Sequence, residues 1–553
     1  MDASLFEFSH RKRAPVFNTD VVRGIACKDV PFAKAYVDNI IRCGENQYPE
    51  GFEYIGSERC SPLEEYNVIT RARSGNNRIY DIARSDVYLV KYRFKFENKE
   101  LAPMYMYLPF VRQAGMLYIS GKQFAVAPVM GDIAFEIEEN SVFIRIPRAP
   151  ISFNRENYTV VIDGVRVKEH VIYSPLHNKG GKKSRNRSDL IRLGWVHSSL
   201  PHYLFCRHGF FGAFEKYCGT RPVIMREKDY DPAQYPPDHW VKVNSLGKPP
   251  TGLAPRRANG YEVNLATDLI LLVDRGNWTD LTRSFATGFF YVIDHFPEYL
   301  ADAEDLNDLG ESWWWCVFMA FILWGEGNNY GRLVDDVETH LKSLDGYVDQ
   351  ETVKTLQEVQ VYCQDLYDLM AHIMREMQNM LDNNRGKEAC LYNKRLEVLR
   401  YLLRNINNNM FEFLFKITGN TKKTLTSKEF EDILRKYFNP WLIHGISSAA
   451  EHPEVSSVSN PSDNMFFKIT SVIVQQNDTH GRGKSQDAKP IGPTMYLDAS
   501  FAAIAGFGVL PKSTPIGNNR FNPCVRLGEN HTTLEPLEHK DLLDGVQRLI
   551  QRT

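Results

Sequence analysis

From Val87 to Tyr173 apolar and polar positions alternate in short runs: VYLVKYRFKF, MYMYLPFV, MLYISGKQFAVAPVM, IAFEIEENSVFIRIPR, YTVVIDGVRV and EHVIYSPL. β-Branched and aromatic residues dominate these runs, and Gly, Pro, Asn and Asp separate them. This pattern predicts consecutive antiparallel strands joined by tight turns. Ser120-Gly-Lys122 and Asp163-Gly164 are the predicted hairpin turns, because glycine takes positive φ without strain. Residues 87–188 are read as a strand-rich domain that empties into a basic loop, His177-Asn-Lys-Gly-Gly-Lys-Lys-Ser-Arg-Asn-Arg187.

Elsewhere the period changes. Residues 1–86 are mixed, with a helical repeat over Ala33–Cys43 that Pro49-Glu-Gly51 breaks. Residues 189–310 read as an α/β region: compact helical stretches around His202–His208 and Phe214–Cys218, a Pro-rich extended surface segment over 221–260, and a short buried strand at Leu269–Asp274. Residues 311–440 read as a helical domain. Its apolar run Trp313–Trp324 falls short of the roughly 20 residues needed to span a bilayer and is expected to be a buried helix. Tyr362, Leu366, Leu369, Ile373, Met377 and Met380, and then Leu399, Leu402, Leu403, Ile406, Met410, Phe413 and Leu414, recur at helical spacing. They predict two amphipathic helices folded back as a hairpin about Asp382–Gly386. Thr426-Ser-Lys-Glu429 is a capping box opening a helix through Tyr437. Residues 441–553 are mixed, with a strand near Phe466–Val474 and a terminal helix near Asp541–Gln551. The fold class expected is α+β: an antiparallel strand-rich N-terminal half, a helical hairpin in the middle and a mixed C-terminal region.

Composition narrows the function. The 553 residues are 43% hydrophobic and 12% aromatic, enough for several packed cores. Lys+Arg 66 against Asp+Glu 68 leaves a net charge of -2, so any contact with nucleic acid is expected to be local. Nine cysteines without a repeated spacing, and an opening MDASLFEFSHRKRAP without an apolar run, predict reduced thiols in a cytosolic environment. No membrane segment is predicted.

The candidate chemistry centres on the basic loop. Lys179, Lys182, Lys183, Arg185 and Arg187 are interleaved with glycines and hydrogen-bonding Ser and Asn, without a carboxylate. Such a loop suits phosphates, although it lacks the P-loop spacing and could equally be a solvated connector. Arg482 and Lys484 form a second, smaller cationic loop. Tyr105, Tyr107, Phe110, Tyr118 and Phe124 on predicted strands fill a core or stack on bases. His202, Cys206, His208 and Cys218 invite a zinc reading, but the second close ligand pair is missing, so core packing is expected. His531, Glu535 and His539 share a four-residue step, which Thr532, Thr533 and Pro536 argue is not helical. Asp274 ends a strand as Mg²⁺-holding carboxylates do, with Asp302, Glu304 and Asp305 as distant companions; a turn or helix cap is the alternative. No nucleophile-elbow, zincin, CxxC-pair or dinucleotide signature occurs, so no cofactor or metal is expected and a binding role is favoured.

Leu108-Pro-Phe110, followed by Gly115–Val129 with its Ile-Ser-Gly turn, resembles the lobe segment of the β subunit of multisubunit RNA polymerases. The catalytic and metal-binding signatures of that enzyme are not found, so no residue role is carried over. The whole chain, including His202-Tyr-Leu-Phe-Cys-Arg-His-Gly-Phe210, resembles uncharacterised proteins of large tailed bacteriophages. The resemblance implies a viral origin, and with the cationic loops it leads to the expectation of a phage-encoded, nucleic-acid-binding accessory protein of replication or transcription in the host cytoplasm. Its partners would be DNA or RNA and other viral proteins. The alternatives are a virion or assembly component, an RNA-polymerase-associated subunit, and a metal-dependent nucleic-acid enzyme using Asp274.

Overall fold

The computed structural model describes residues 30–45, 48–73, 85–112, 115–119, 121–138, 140–146, 150–176, 197–245, 268–296, 306–325, 329–384, 390–397, 403–418 and 426–438. In the C-terminal stretch it describes 455–457, 471–474, 500, 518–520, 526–528 and 533–535. The chain forms two compact units. Unit one comprises residues 1–134, 349–355 and 386–553; unit two comprises 135–348 and 356–385. The fold is α+β, and its N-terminal sheets are antiparallel, as the alternation predicts.

Unit one begins with α1 (Val30–Cys43), β1 (Phe52–Arg59), α2 (Pro62–Arg73), β2 (Val87–Phe96), β3 (Lys99–Glu100) and β4 (Met104–Pro109). β2 pairs antiparallel with β1, β3 and β4. From Val90 onward its alternation explains the sheet's two faces, and Leu89 is buried as well. Tyr88, Val90, Tyr92, Phe94 and Phe96 are buried, while Lys91 and Lys95 point outward. Lys91 pairs with Glu58 at 2.8 Å and Glu64 at 3.1 Å, and Lys95 with Glu53 at 2.7 Å. Next come β5 (Met116–Ile119) and β6 (Lys122–Val126), joined through Gly121 at φ 79°, and β7 (Val129–Asp132).

Unit two holds β8 (Phe135–Ile137), β9 (Ser141–Arg145), β10 (Pro150–Ile162), β11 (Val165–Tyr173), α3 (Leu200–His208), α4 (Phe210–Cys218), β12 (Val223–Arg226), β13 (Trp240–Ser245), β14 (Leu269–Asp274) and α5 (Asp280–Ile293). It continues with α6 (Ser312–Trp324) and α7 (Tyr330–Leu344). α8 (Gln350–Glu358) spans both residue ranges, and α9 (Leu366–Asn384) returns to unit two. The strands form one antiparallel sheet in the order β12-β14-β13-β10-β9-β8, with β11 also on β10. The β10–β11 hairpin turns at Asp163 and Gly164, both at positive φ (49° and 80°), as the Asp-Gly pair predicts. The Pro-rich segment differs from its expected extended course: β12 and β13 lie within it. Both pair with the apolar β14, a long-range partnership that local composition does not report.

The apolar run 313–324 is the buried helix expected. In α6, Trp315 is fully buried against Phe205, Phe210 and Phe289, with ring centroids 4.7, 5.8 and 5.7 Å away. No helix among the described residues is long and apolar enough to cross a membrane.

Unit one is completed by β15 (Lys394–Glu397), α10 (Arg404–Thr418), α11 (Ser427–Tyr437), β16 (Val455–Ser457), β17 (Ser471–Val474), β18 (Asn518–Arg520), β19 (Arg526–Leu527) and β20 (Leu534–Glu535). β15 and β17 flank β7, and β16 extends the β5–β6 pair. The capping box opening α11 is present in full: the Thr426 hydroxyl accepts from the Glu429 N–H, and the Glu429 carboxylate accepts from the Thr426 N–H. The stripes assigned to a helical hairpin are helical from Leu366 to Met380 and from Ile406 to Leu414, while Leu399 and Leu402 lie outside the described residues, and the two helices serve different cores. α9 packs on α3 and α5 in unit two, and α10 packs on α1 and α11 in unit one. Tyr362, counted in the first stripe, precedes α9 and is 78% exposed.

The centre of unit one is aromatic. Phe94 lies 5.7 Å from Phe52, 5.9 Å from Phe413 and 5.3 Å from Phe438 between ring centroids, and Phe430 stacks on Phe52 at 4.8 Å. Removing a fully buried phenyl ring forfeits both its transfer free energy and its packing against these neighbours. Phe94→Ala is expected to cost about 3–5 kcal/mol. Native-state hydrogen exchange of the β1, β2 and β4 amides should show that loss of protection.

Candidate nucleic-acid interface

Lys179, Lys182, Lys183, Arg185 and Arg187 lie outside the described residues, as do Arg482 and Lys484. The structure does show the two ends between which the first segment runs. The chain leaves through Tyr173 at the end of β11 and re-enters at His197, just before α3. Tyr173 and Ser199 form a β-bridge, and the His197 ring stacks on the Tyr173 ring at 4.0 Å and 10° between planes. Tyr173 and His197 thus lie together at the sheet of unit two.

A hydrogen-bonded network lies under that point. The His197 N–H donates to the Tyr291 hydroxyl at 3.0 Å, and that hydroxyl donates to the Glu156 carboxylate. The Ser174 hydroxyl donates to the Ser152 carbonyl at 2.7 Å. Burial raises the Glu156 carboxyl above its ordinary range, against the lowering effect of the Tyr291 hydrogen bond. Burial, and then the Glu156 charge, holds the Tyr291 phenol well above its usual value. A second pair sits on the same helix: Tyr158 on β10 and Ser245 at the end of β13 both donate to Asp294, the buried residue that closes α5. These bonds arise because β10 turns Glu156 and Tyr158, two residues apart, to the same face, and α5 packs against that face.

The other candidates resolve into structural roles. His202 is fully buried with its Nε2 2.8 Å from the Trp315 carbonyl oxygen, and burial lowers its pKa to about 4. Burial raises the Cys206 thiol well above its ordinary value, and Cys316 is its close neighbour. His208 Nε2 faces the Tyr217 hydroxyl and Lys216 Nζ, each at 3.4 Å. Burial pushes the Cys218 thiol up to about 12. Thiols held protonated are poor metal ligands, and no group of three or more His, Cys, Asp or Glu side chains suited to a metal occurs among the described residues. Asp274 caps the single turn Arg275–Asn277. One carboxylate oxygen accepts from the Gly276 N–H at 2.9 Å and the other from the Asn277 amide at 3.1 Å. Its proposed companions Asp302, Glu304 and Asp305 are outside the described residues. Of the strand aromatics, Tyr107 and Phe124 are buried in unit one, and Tyr105 and Phe110 pack partly buried against the same core. Tyr118 is half-buried.

Sequence reasoning did not find the Glu156–Tyr291–His197 chain. Its only trace is a carboxylate at a strand position that faces a helix, and that helix follows more than a hundred residues later.

Two outcomes test the network. Tyr291→Phe leaves a buried carboxyl and a backbone N–H unsatisfied, at a cost of about 1–3 kcal/mol, and adding Glu156→Gln is expected to restore part of it in urea melts. The raised Glu156 keeps its proton in the folded protein above pH 4.5, where the unfolded chain releases it. Its stabilising share is therefore complete below that pH and is lost as pH rises through the elevated folded-state value. Melts of the unsubstituted protein and the Glu156→Gln variant should shift in the variant's favour as pH rises from 4.5 towards neutrality.

Residues 8–546 match the family described as "Non-virion RNA polymerase subunit", nearly the whole chain. No curated protein matches the chain.

Proposed function

The chain belongs to the non-virion RNA polymerase subunit family, and on that premise we propose that it is a non-catalytic subunit of a phage-encoded RNA polymerase acting in the host cytoplasm. In this reading it assembles with the other viral polymerase subunits and meets the nucleic acid through the cationic segment Lys179–Arg187, with Arg482 and Lys484 as secondary contacts. The observation that carries it is the family match across residues 8–546. Three further features support it. The segment contains five cations and no carboxylate, and so suits the sequence-independent attraction that phosphates offer. The described chain on either side of it is held together at Tyr173 and His197 on unit two. The carboxylate of Asp274 is engaged in a turn, which favours a contacting role over a metal-dependent reaction. The family description, non-virion, favours transcription over a place in the particle.

Tagged protein recovered from infected cells is expected to carry the other polymerase subunits and to be missing from purified particles. Recovery in particles without any polymerase subunit overturns the assignment. For the contact itself, replacing Lys179, Lys182, Lys183, Arg185 and Arg187 by Ala in the full chain should weaken binding to labelled DNA. The slope of log affinity against log salt should become shallower by about 4.5, at roughly 0.9 for each phosphate that is no longer neutralised. An unchanged slope removes the segment from the interface.

A further inference from the structure

The sheet of unit two has one face covered by α5 and, along the turn half of the β10–β11 hairpin, one that no described element covers. Strand side chains alternate, so the residues opposite Glu156, Tyr158 and Glu169 are Arg155, Asn157 and Thr159 on β10 and Arg166, Lys168 and His170 on β11. The register sets His170 beside Asn157, Lys168 beside Thr159 and Arg166 beside Val161. Arg166, Lys168, His170 and Asn157 are exposed. Among the described residues neither Arg166 nor Lys168 has an acidic partner. Arg155 donates to Asn140 at 3.3 Å and to Gln378 at 2.6 Å, both neutral, and no acidic partner is present among the described residues. The nearby carboxylates are engaged elsewhere: Asp163 in the turn pairs with Arg275 at 2.7 Å, and Glu169 on the covered face pairs with Arg283. The imidazole of His170 senses the resulting field. After burial, Arg155 is the main influence lowering its pKa, with Lys168 adding to it and Glu169 opposing.

We propose that this bare face of the β10–β11 hairpin is a second nucleic-acid contact, a surface that lies along the phosphate backbone of double-stranded DNA. The inference rests on the reading above that the subunit meets nucleic acid, and it adds a contact built on rigid strands. Arg166 and Lys168 are two residues apart on one strand, about 6.7 Å, and present their charges in a line. Asn157 and Thr159 beside them supply hydrogen-bonding groups for phosphate oxygens. The face offers no exposed Phe, Tyr or Trp on which unpaired bases could stack, so a single strand finds no platform there. With α5 packed behind it, the hairpin cannot enter a groove as a free ribbon and meets only the backbone. The contact is therefore independent of sequence. Among the described strands β11 pairs only with β10 and is an edge, where cations also serve to prevent pairing with another sheet. The experiment separates these two roles.

The full chain carrying Arg166→Gln and Lys168→Gln is compared with the unsubstituted protein and with the five-alanine variant, by fluorescence anisotropy on a short duplex of arbitrary sequence over a salt series. Circular dichroism and size-exclusion profiles run alongside. The expected result is a folded, monodisperse double variant whose salt slope is shallower by about 2, in addition to the effect of the five-alanine substitution. A duplex slope unchanged in the double variant but shallower in the five-alanine variant overturns the hairpin contact and leaves the cationic segment standing. New self-association with unchanged DNA binding assigns the two cations to edge protection and overturns the proposal. A loss confined to single-stranded RNA overturns the duplex assignment. If neither variant alters the slope, the hairpin contact and the nucleic-acid reading fall together.

Discussion

The contact on which unit two depends is the docking of helix Asp280–Ile293 beneath the hairpin 150–173. Phe285 and Phe289 on that helix are buried against Phe205, Phe210 and Trp315, which fixes the helix from its other side. Direction comes from three polar links: Tyr291 to Glu156, Arg283 to Glu169, and Asp294 to Tyr158. A carboxyl withdrawn from water is costly unless its oxygens find donors, so each link is satisfied in only one alignment of helix on sheet. That alignment leaves Arg166, Lys168 and His170 facing water, and it holds together the points between which residues 177–196 run.

Much of the fold was legible because local chemistry specified it. The Thr426–Glu429 box, the Asp163-Gly164 turn and the twelve apolar residues from Trp313 each state their outcome within a few positions. What stayed hidden depends on partners far away in the chain. The strands Val223–Arg226 and Trp240–Ser245 sit in a stretch whose prolines and charges read as surface, and they become sheet only because Leu269–Asp274 comes between them. The two Met- and Leu-rich stripes carry the same helical period, and period alone does not say which core a helix joins.

The site divides in the same way. The cations between His177 and Arg187 stand out in sequence because they are contiguous. Arg166 and Lys168 do not, because in VRVKEH they alternate with other residues and the run reads as an ordinary strand. The signal is there in principle, as two cations at a two-residue step. It gains meaning only once Glu169 is seen on the opposite face and paired with Arg283. The His202–Cys206 pair shows the converse. Its four-residue step does put both on one helix face, but that face is directed into an aromatic interior, with the imidazole against the Trp315 carbonyl.

The discontinuity of unit one has a consequence for how the protein is made. Phe94 and Phe96 are translated early, whereas Phe413 and Phe438, which pack on Phe94, and Phe430, which packs on Phe96, emerge more than 300 residues later. At about 5–20 residues per second the ribosome needs roughly 15–60 s to deliver them. Throughout that interval the part of the first sheet's apolar side that α10 and α11 cover is exposed, while every residue of unit two is synthesised before the last part of unit one. Nascent chains stalled near residue 385 would present sticky aromatic surface, and holdase chaperones would be drawn to the amino-terminal third during synthesis.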